Sequence, residues 1–287
     1  MTQLIDTHQH LVYPDVASYG WTDGIPPLAN RAFTLEQYRE LTKGADIAGT
    51  LFMETGVDDA DYMAETRFVA ELAKDPQSGV LGIIASCRPE DDAGFSKWLD
   101  ECEDLGVVGY RRILHVMPDE LSTTDTFRKN LRRLGDRAKP FDLCMLPKQL
   151  KLGAELARVC DNTTFVLNHC GVPDIAGGGL DPWRADISAL AALPNVYCKL
   201  SGLLAYCAAG EATTDAISPY VNHVLDTFGP KRMVWGSDWP VVELANGLPD
   251  WVSVTNGILG QLSPDEADAI GGATATQLFN LNGIMPA

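Results

Sequence analysis

Leu4-Ile5-Asp6-Thr7-His8-Gln9-His10, near the start of the 287-residue chain, is a short apolar run that stops at two histidines. Residues 4–8 read as a buried strand. No Gly-x-Gly-x-x-Gly turn follows them, which disfavours a dinucleotide-binding open sheet. Side chains two apart on a pleated strand share a side, so His8 and His10 can converge on one water or one metal ion. Similar apolar runs recur at 49–54, 80–86, 107–114, 141–145, 164–168, 196–200 and 232–236. Between them lie stretches of helical spacing at 34–47, 59–74, 93–105, 124–138, 148–160, 183–193, 214–228 and 264–278. The first of these opens on Thr34-Leu35-Glu36-Gln37, the pattern of a capping box.

Eight strands alternating with eight helices predict parallel βα units, and their continuous apolar character fits strands covered on both faces. A single (β/α)8 TIM barrel over residues 1–287 accounts for the whole length. With 46% hydrophobic residues the chain has material for a large core without disulfides. The seven cysteines are odd in number and contain no Cys-x-x-Cys pair, so reduced thiols and a cytoplasmic setting are expected. No basic-then-apolar leader opens the sequence. A net charge of −17 repels phosphate backbones and anionic lipid, so nucleic acid and membrane surfaces are poor partners. No apolar run of 18 residues is present to span a bilayer. A small molecule is the expected partner, and the chain is expected as a monomer or small homo-oligomer.

In a parallel barrel the active site lies at the C-terminal ends of the strands, and reactive residues collect there. Beyond His8 and His10, the second run ends at Glu54 and the fourth carries Arg111, Arg112 and then His115. The sixth ends in Asn168-His169-Cys170-Gly171, the seventh carries Lys199 and Ser201, and the eighth runs into Ser237-Asp238-Trp239-Pro240. Four of five histidines sit at such ends; His223 alone lies in a helical stretch. Each has a bland reading: Asp238 as a helix N-cap, His169 as a turn residue, Lys199 as a snorkelling side chain. Glu54 is the hardest to dismiss, because a carboxylate ending an apolar strand needs a partner or a metal. Arg111 and Arg112 are adjacent and must face opposite ways, and parity does not say which enters the pocket.

These segments resemble the amidohydrolase superfamily, and within it the lactonase-like branch of metal-dependent TIM-barrel hydrolases. The matching stretches are Ile-Asp-Thr-His-Gln-His (5–10), Gly-Tyr-Arg-Arg-Ile-Leu (109–114), Phe-Val-Leu-Asn-His-Cys-Gly-Val-Pro (165–173), Asn-Val-Tyr-Cys-Lys-Leu-Ser-Gly (195–202) and Val-Trp-Gly-Ser-Asp-Trp-Pro-Val (234–241). The resemblance implies a hydrolase of small lactones: sugar-acid lactones, sulfomuconolactone or pyrone dicarboxylate. A neighbouring branch decarboxylates aromatic and aminomuconate-type acids, and a metal-dependent decarboxylase of a small carboxylic acid on the same barrel is the alternative. Carried over, His8 and His10 are the first-strand pair, His169 the sixth-strand histidine and Asp238 the eighth-strand aspartate. The fifth run, Phe-Asp-Leu-Cys-Met, lacks the further histidine that firmly metallated members add there.

The expected mechanism has Asp238 as general base toward water, with His8, His10, Asp238 and Glu54 available to a divalent metal, zinc or manganese. Catalysis without metal is the other expectation. His169 would polarise the carbonyl, and Arg111 or Arg112 would bind the substrate. His115 and Lys199 would contact the substrate or protonate the leaving group, and Trp21 and Trp239 would stack on a sugar ring. Substrate choice would rest on loops 12–30, 116–126, 173–184 and 205–213.

Overall fold

Each of the eight apolar runs forms a strand in the computed structural model, which describes residues 2–282. They are β1 (Leu4–Gln9), β2 (Ile47–Met53), β3 (Val80–Ser86), β4 (Val107–Ile113), β5 (Phe141–Cys144), β6 (Phe165–Leu167), β7 (Val196–Leu200) and β8 (Met233–Trp235). Every neighbouring pair is parallel, in the order β1 to β8. A parallel bridge between Gln9 and Trp239, with Asp238 N donating to His8 O at 2.9 Å, ties the exit of β8 to the end of β1. The result is the expected (β/α)8 barrel.

The helices are α1 (Leu35–Leu41), α2 (Tyr62–Ala73), α3 (Asp92–Asp104), α4 (Asp125–Asp136), α5 (Leu150–Val159), α6 (Trp183–Ala191), α7 (Thr214–Phe228), α8 (Leu248–Leu259), α9 (Pro264–Asp268) and α10 (Thr274–Leu278). The capping box holds: Gln37 N donates to Thr34 Oγ1 and Thr34 N to Gln37 Oε1. Three expectations need correction. The first helix does not run to residue 47. It stops at Leu41, before Gly44 takes a left-handed turn at φ +87° that only glycine adopts freely, and Ile47 already belongs to β2. Helix α8 was not expected, because Pro249 and Gly257 interrupt its pattern. The stretch 264–278 is not one helix but is broken by a π-helical segment, Ala269–Ala273. There a Cβ on Gly271 would stand 2.6 Å from Thr2 Cγ2, so the helix passes the entry to β1 at close range.

Most of the core lies between the strands and the surrounding helices. A smaller apolar cluster joins Ile5, Leu51, Leu81, Val166 and Val234 to Phe279 and Leu281. Two residues further along the strands the same faces turn polar: Val166 is followed by Asn168 and Tyr197 by Lys199. Lys199 and Asp142, both fully buried, form an ion pair at 2.6 Å. That switch raises the chemistry above an apolar floor.

Candidate active site

Three strand ends bring the central residues together. His8 and His10 come from the end of β1, while Gln9 between them turns away and accepts a hydrogen bond from Thr50 Oγ1. His169 follows β6, and Asp238 follows β8; both sit in the left-handed region, at φ 52° and 59°. Such backbone costs roughly 1–3 kcal/mol and persists only where the surroundings enforce it. Asp6 does part of this work, accepting from the amides of both His8 and Ser237 and from the Tyr38 hydroxyl. Two glycines make room. A Cβ on Gly202 would collide with the Asp238 carboxylate, and one on Gly236 would lie 2.6 Å from His8 Cβ.

The carboxylate of Asp238 faces three imidazoles. Its Oδ1 lies 3.6 Å from Nε2 of both His8 and His10, and its Oδ2 lies 3.8 Å from His169 Nδ1. Hydrogen bonds assign the tautomers. His10 Nδ1 is 2.9 Å from the Met53 carbonyl, to which it must donate, so Nε2 is the nitrogen left to face Asp238. Arg111 Nη1 lies 3.4 Å from His8 Nε2, and because arginine only donates, that nitrogen is an acceptor too. Burial, then the Lys199 charge, hold His8 well below its usual pKa. Burial likewise pushes His169 down to about 4, against the pull of Asp238. Two imidazole Nε2 atoms therefore face one carboxylate oxygen, each at 3.6 Å, with the His8 nitrogen also accepting from Arg111, and what belongs among them is a hydrogen-bond donor or a cation.

The same three ligand atoms, His8, His10 and Asp238, all lie within 4.8 Å of one another. This donor set fits a divalent metal. Arg111 competes for it, because its guanidinium uses the His8 lone pair that a metal would need.

Arg111 points into the barrel mouth and Arg112 away from it. Arg111 Nε donates to Glu54 Oε1 at 2.6 Å, and Nη2 donates to the Glu54 carbonyl. Burial pushes the Glu54 carboxyl up, and the Arg111 guanidinium with the Gly56 amide more than offsets this, lowering its pKa. Glu54 is thus spent on Arg111 and Gly56 rather than on the three-donor group. Arg112 pairs with Glu90 at 2.8 Å and with exposed Asp59 at 3.7 Å, outside the cavity.

A cavity of about 390 Å³ opens above the cluster, lined by His10, Arg111, His169 and Asp238. His115 and Trp21 line it as well. His115 Nδ1 is 3.2 Å from Cys144 Sγ, and Trp21, 37% exposed at the rim, donates its indole N–H to the Thr55 carbonyl. Two expected contacts are corrected. Trp239 is 1% exposed, packed edge-on against Phe33 and Tyr38, because its neighbour Asp238 takes the cavity side. Lys199 lies beneath the cavity, spent on Asp142 and the Thr7 carbonyl.

Sequence reasoning named Ser201 without giving it a role, and missed Cys144 and Tyr206. Ser201 bonds His169 Nδ1 at 2.9 Å; its position two residues past Lys199 was the available signal. Cys144 ends β5, and Tyr206 stands on the loop after β7, where no periodicity marks it. Burial, then the Asp238 carboxylate, push the Tyr206 phenol well above its usual pKa.

The family model described as Amidohydrolase matches residues 5–281. The chain belongs to the amidohydrolase family. An L-fucono-1,5-lactonase from Burkholderia ambifaria is 27% identical over 98% of this chain and 97% of its own length. One from Burkholderia multivorans is 29% identical over 96% of each. Among solved structures, an amidohydrolase from Burkholderia multivorans with bound zinc superposes with a TM-score of 0.88 at 26% identity, covering 99% of this chain and all of that one. Among the described residues of this amidohydrolase, no helix is long and apolar enough to cross a membrane.

Proposed function

We propose that this amidohydrolase opens the ester bond of a neutral sugar-acid lactone, using water deprotonated by Asp238. The observation that carries this is Asp238 Oδ1 facing the Nε2 atoms of His8 and His10, each at 3.6 Å. A water there donates one hydrogen to the carboxylate and is held by a histidine through the other. As it attacks the lactone carbonyl, Asp238 takes its proton. With Ser201 donating to His169 Nδ1, the opposite His169 N–H and Arg111 Nη1 serve the carbonyl oxygen, where negative charge grows. The whole-length similarity to two L-fucono-1,5-lactonases supports the same reading.

The cavity argues for an uncharged substrate. Arg111 is the one cation among its lining residues, and two of its nitrogens are already committed to Glu54. A second negative charge, as on pyrone dicarboxylate or sulfomuconolactone, would enter a site with no free counter-charge, inside a protein of net charge −17. Unpaired buried charge costs several kcal/mol. Ile113, Leu146 and Val241 instead offer an apolar wall for a ring's C–H face or methyl group.

Zinc or manganese held by His8, His10 and Asp238 would lower the pKa of bound water. We assign it an accessory role, since Arg111 already occupies the His8 lone pair and Asp238 reaches the water position directly. The unpaired thiols fit the expected cytoplasmic setting. The test is a pH-indicator assay on a panel of neutral aldonolactones, run before and after chelation. Turnover within about threefold of the untreated rate is expected after chelation. Loss restored by Zn²⁺ or Mn²⁺ would make the metal essential, and silence across the panel would refute the lactone-opening reading.

A further inference from the structure

Opening a sugar lactone leaves an alkoxide, a strongly basic leaving group that needs a proton as the C–O bond breaks. Most donors lining the cavity are already engaged. The Trp21 indole N–H is bonded to the Thr55 carbonyl, and the Thr55 hydroxyl to the Leu11 carbonyl. His10 donates to Met53, and Arg111 is shared between Glu54 and His8. His115 pairs through Nδ1 with Cys144 Sγ, the His169 N–H opposite Ser201 is assigned to the carbonyl oxygen above, and Lys199 is spent beneath the floor. The Tyr206 hydroxyl, by contrast, makes no hydrogen bond to any described group while its side chain lines the cavity.

Tyr206 is also held in place. It ends the turn Leu203–Tyr206 that follows β7, and its carbonyl accepts from Ala176 N at 3.1 Å, which ties the loops after β6 and β7 together. Its ring stands edge-on to His169, with centroids 6.1 Å apart and planes at 68°. A tethered phenol with a free O–H in a reaction cavity is a donor aimed at a substrate oxygen.

We propose that Tyr206 is the catalytic proton donor to the departing ring oxygen; the inference rests on the lactone-opening reading above. When the tetrahedral adduct collapses, the carbonyl re-forms and the bond from that carbon to the ring oxygen breaks. Its electron pair goes to the ring oxygen, which takes the Tyr206 proton. The proton that Asp238 removed from water then passes through solvent to the Tyr206 phenolate. Lactone and water have become one hydroxy acid, which ionises in bulk solution, and both side chains are restored.

Tyr206→Phe tests this while keeping the ring against His169. On a neutral aldono-1,5-lactone, kcat should fall about 10²-fold, the low end for loss of a general acid, with KM unchanged within about threefold. On 3,4-dihydrocoumarin, whose phenolic leaving group departs without help, the same variant should lose less than about threefold, which also reports an intact fold. Equal losses on the two substrates, a loss confined to KM, or no loss on the aldonolactone would overturn the donor role alone. A wild-type enzyme that opens neither substrate would instead refute the lactonase reading and the donor role with it.

Discussion

Asp238→Asn should lower kcat on a neutral aldonolactone by about 10³-fold, within the range for removing a general base, and leave the thermal midpoint within about 2 °C of wild type. The amide matches the carboxylate in shape and cannot accept the water's proton. Asparagine also tolerates the left-handed backbone that this position requires, at φ 59°. The substitution therefore separates chemistry from folding. Steady-state rates and thermal denaturation of the two proteins check it. A variant that keeps a rate within tenfold of wild type would remove Asp238 as the base, and another group would have to activate the water.

Arg111 and Arg112 should part company in both stability and rate. Arg111→Ala leaves Glu54, 1% exposed, without its partner. Breaking a buried pair in this way costs about 3–5 kcal/mol. It also removes the only Lys or Arg among the described residues lining the cavity, so kcat/KM should fall by at least about 10²-fold. Arg112→Ala loses ion pairs to Glu90 and to an Asp59 that is 76% exposed. Partly solvated pairs are worth about 0–1 kcal/mol, and the rate should stay near wild type. Urea denaturation and lactone hydrolysis on both variants decide the matter. Equal, small losses would place neither arginine in the reaction.

Strand ends were readable because burial on both faces makes each strand an apolar run, and chemistry interrupts such a run only where it leaves the core. That is why β3 and β7 match their expected bounds and why His8, His10, His169 and Asp238 stood out. Parity then limited Arg111 and Arg112 to opposite faces, and only packing against Glu54 and Glu90 shows which face is which. Depth along the strand has no such signature. Lys199 and Glu54 sit at strand ends by number, yet one serves the polar layer under the cavity and the other anchors Arg111. Trp239 looked like a stacking platform because it follows Asp238, and for the same reason it points the other way. Tyr206 and helix α8 lay beyond reach, the first on a loop without period, the second broken by proline and glycine.

The measurement that most directly tests the account is a comparison of kcat/KM for a neutral aldono-1,5-lactone and for pyrone dicarboxylate, by proton release with the same enzyme preparation. A single cavity cation, already paired, predicts at least about a 10²-fold preference for the neutral lactone, since each 1.4 kcal/mol of uncompensated charge costs tenfold. Preference for the dicarboxylate, or silence on both while a small aromatic acid loses CO₂, would contradict it.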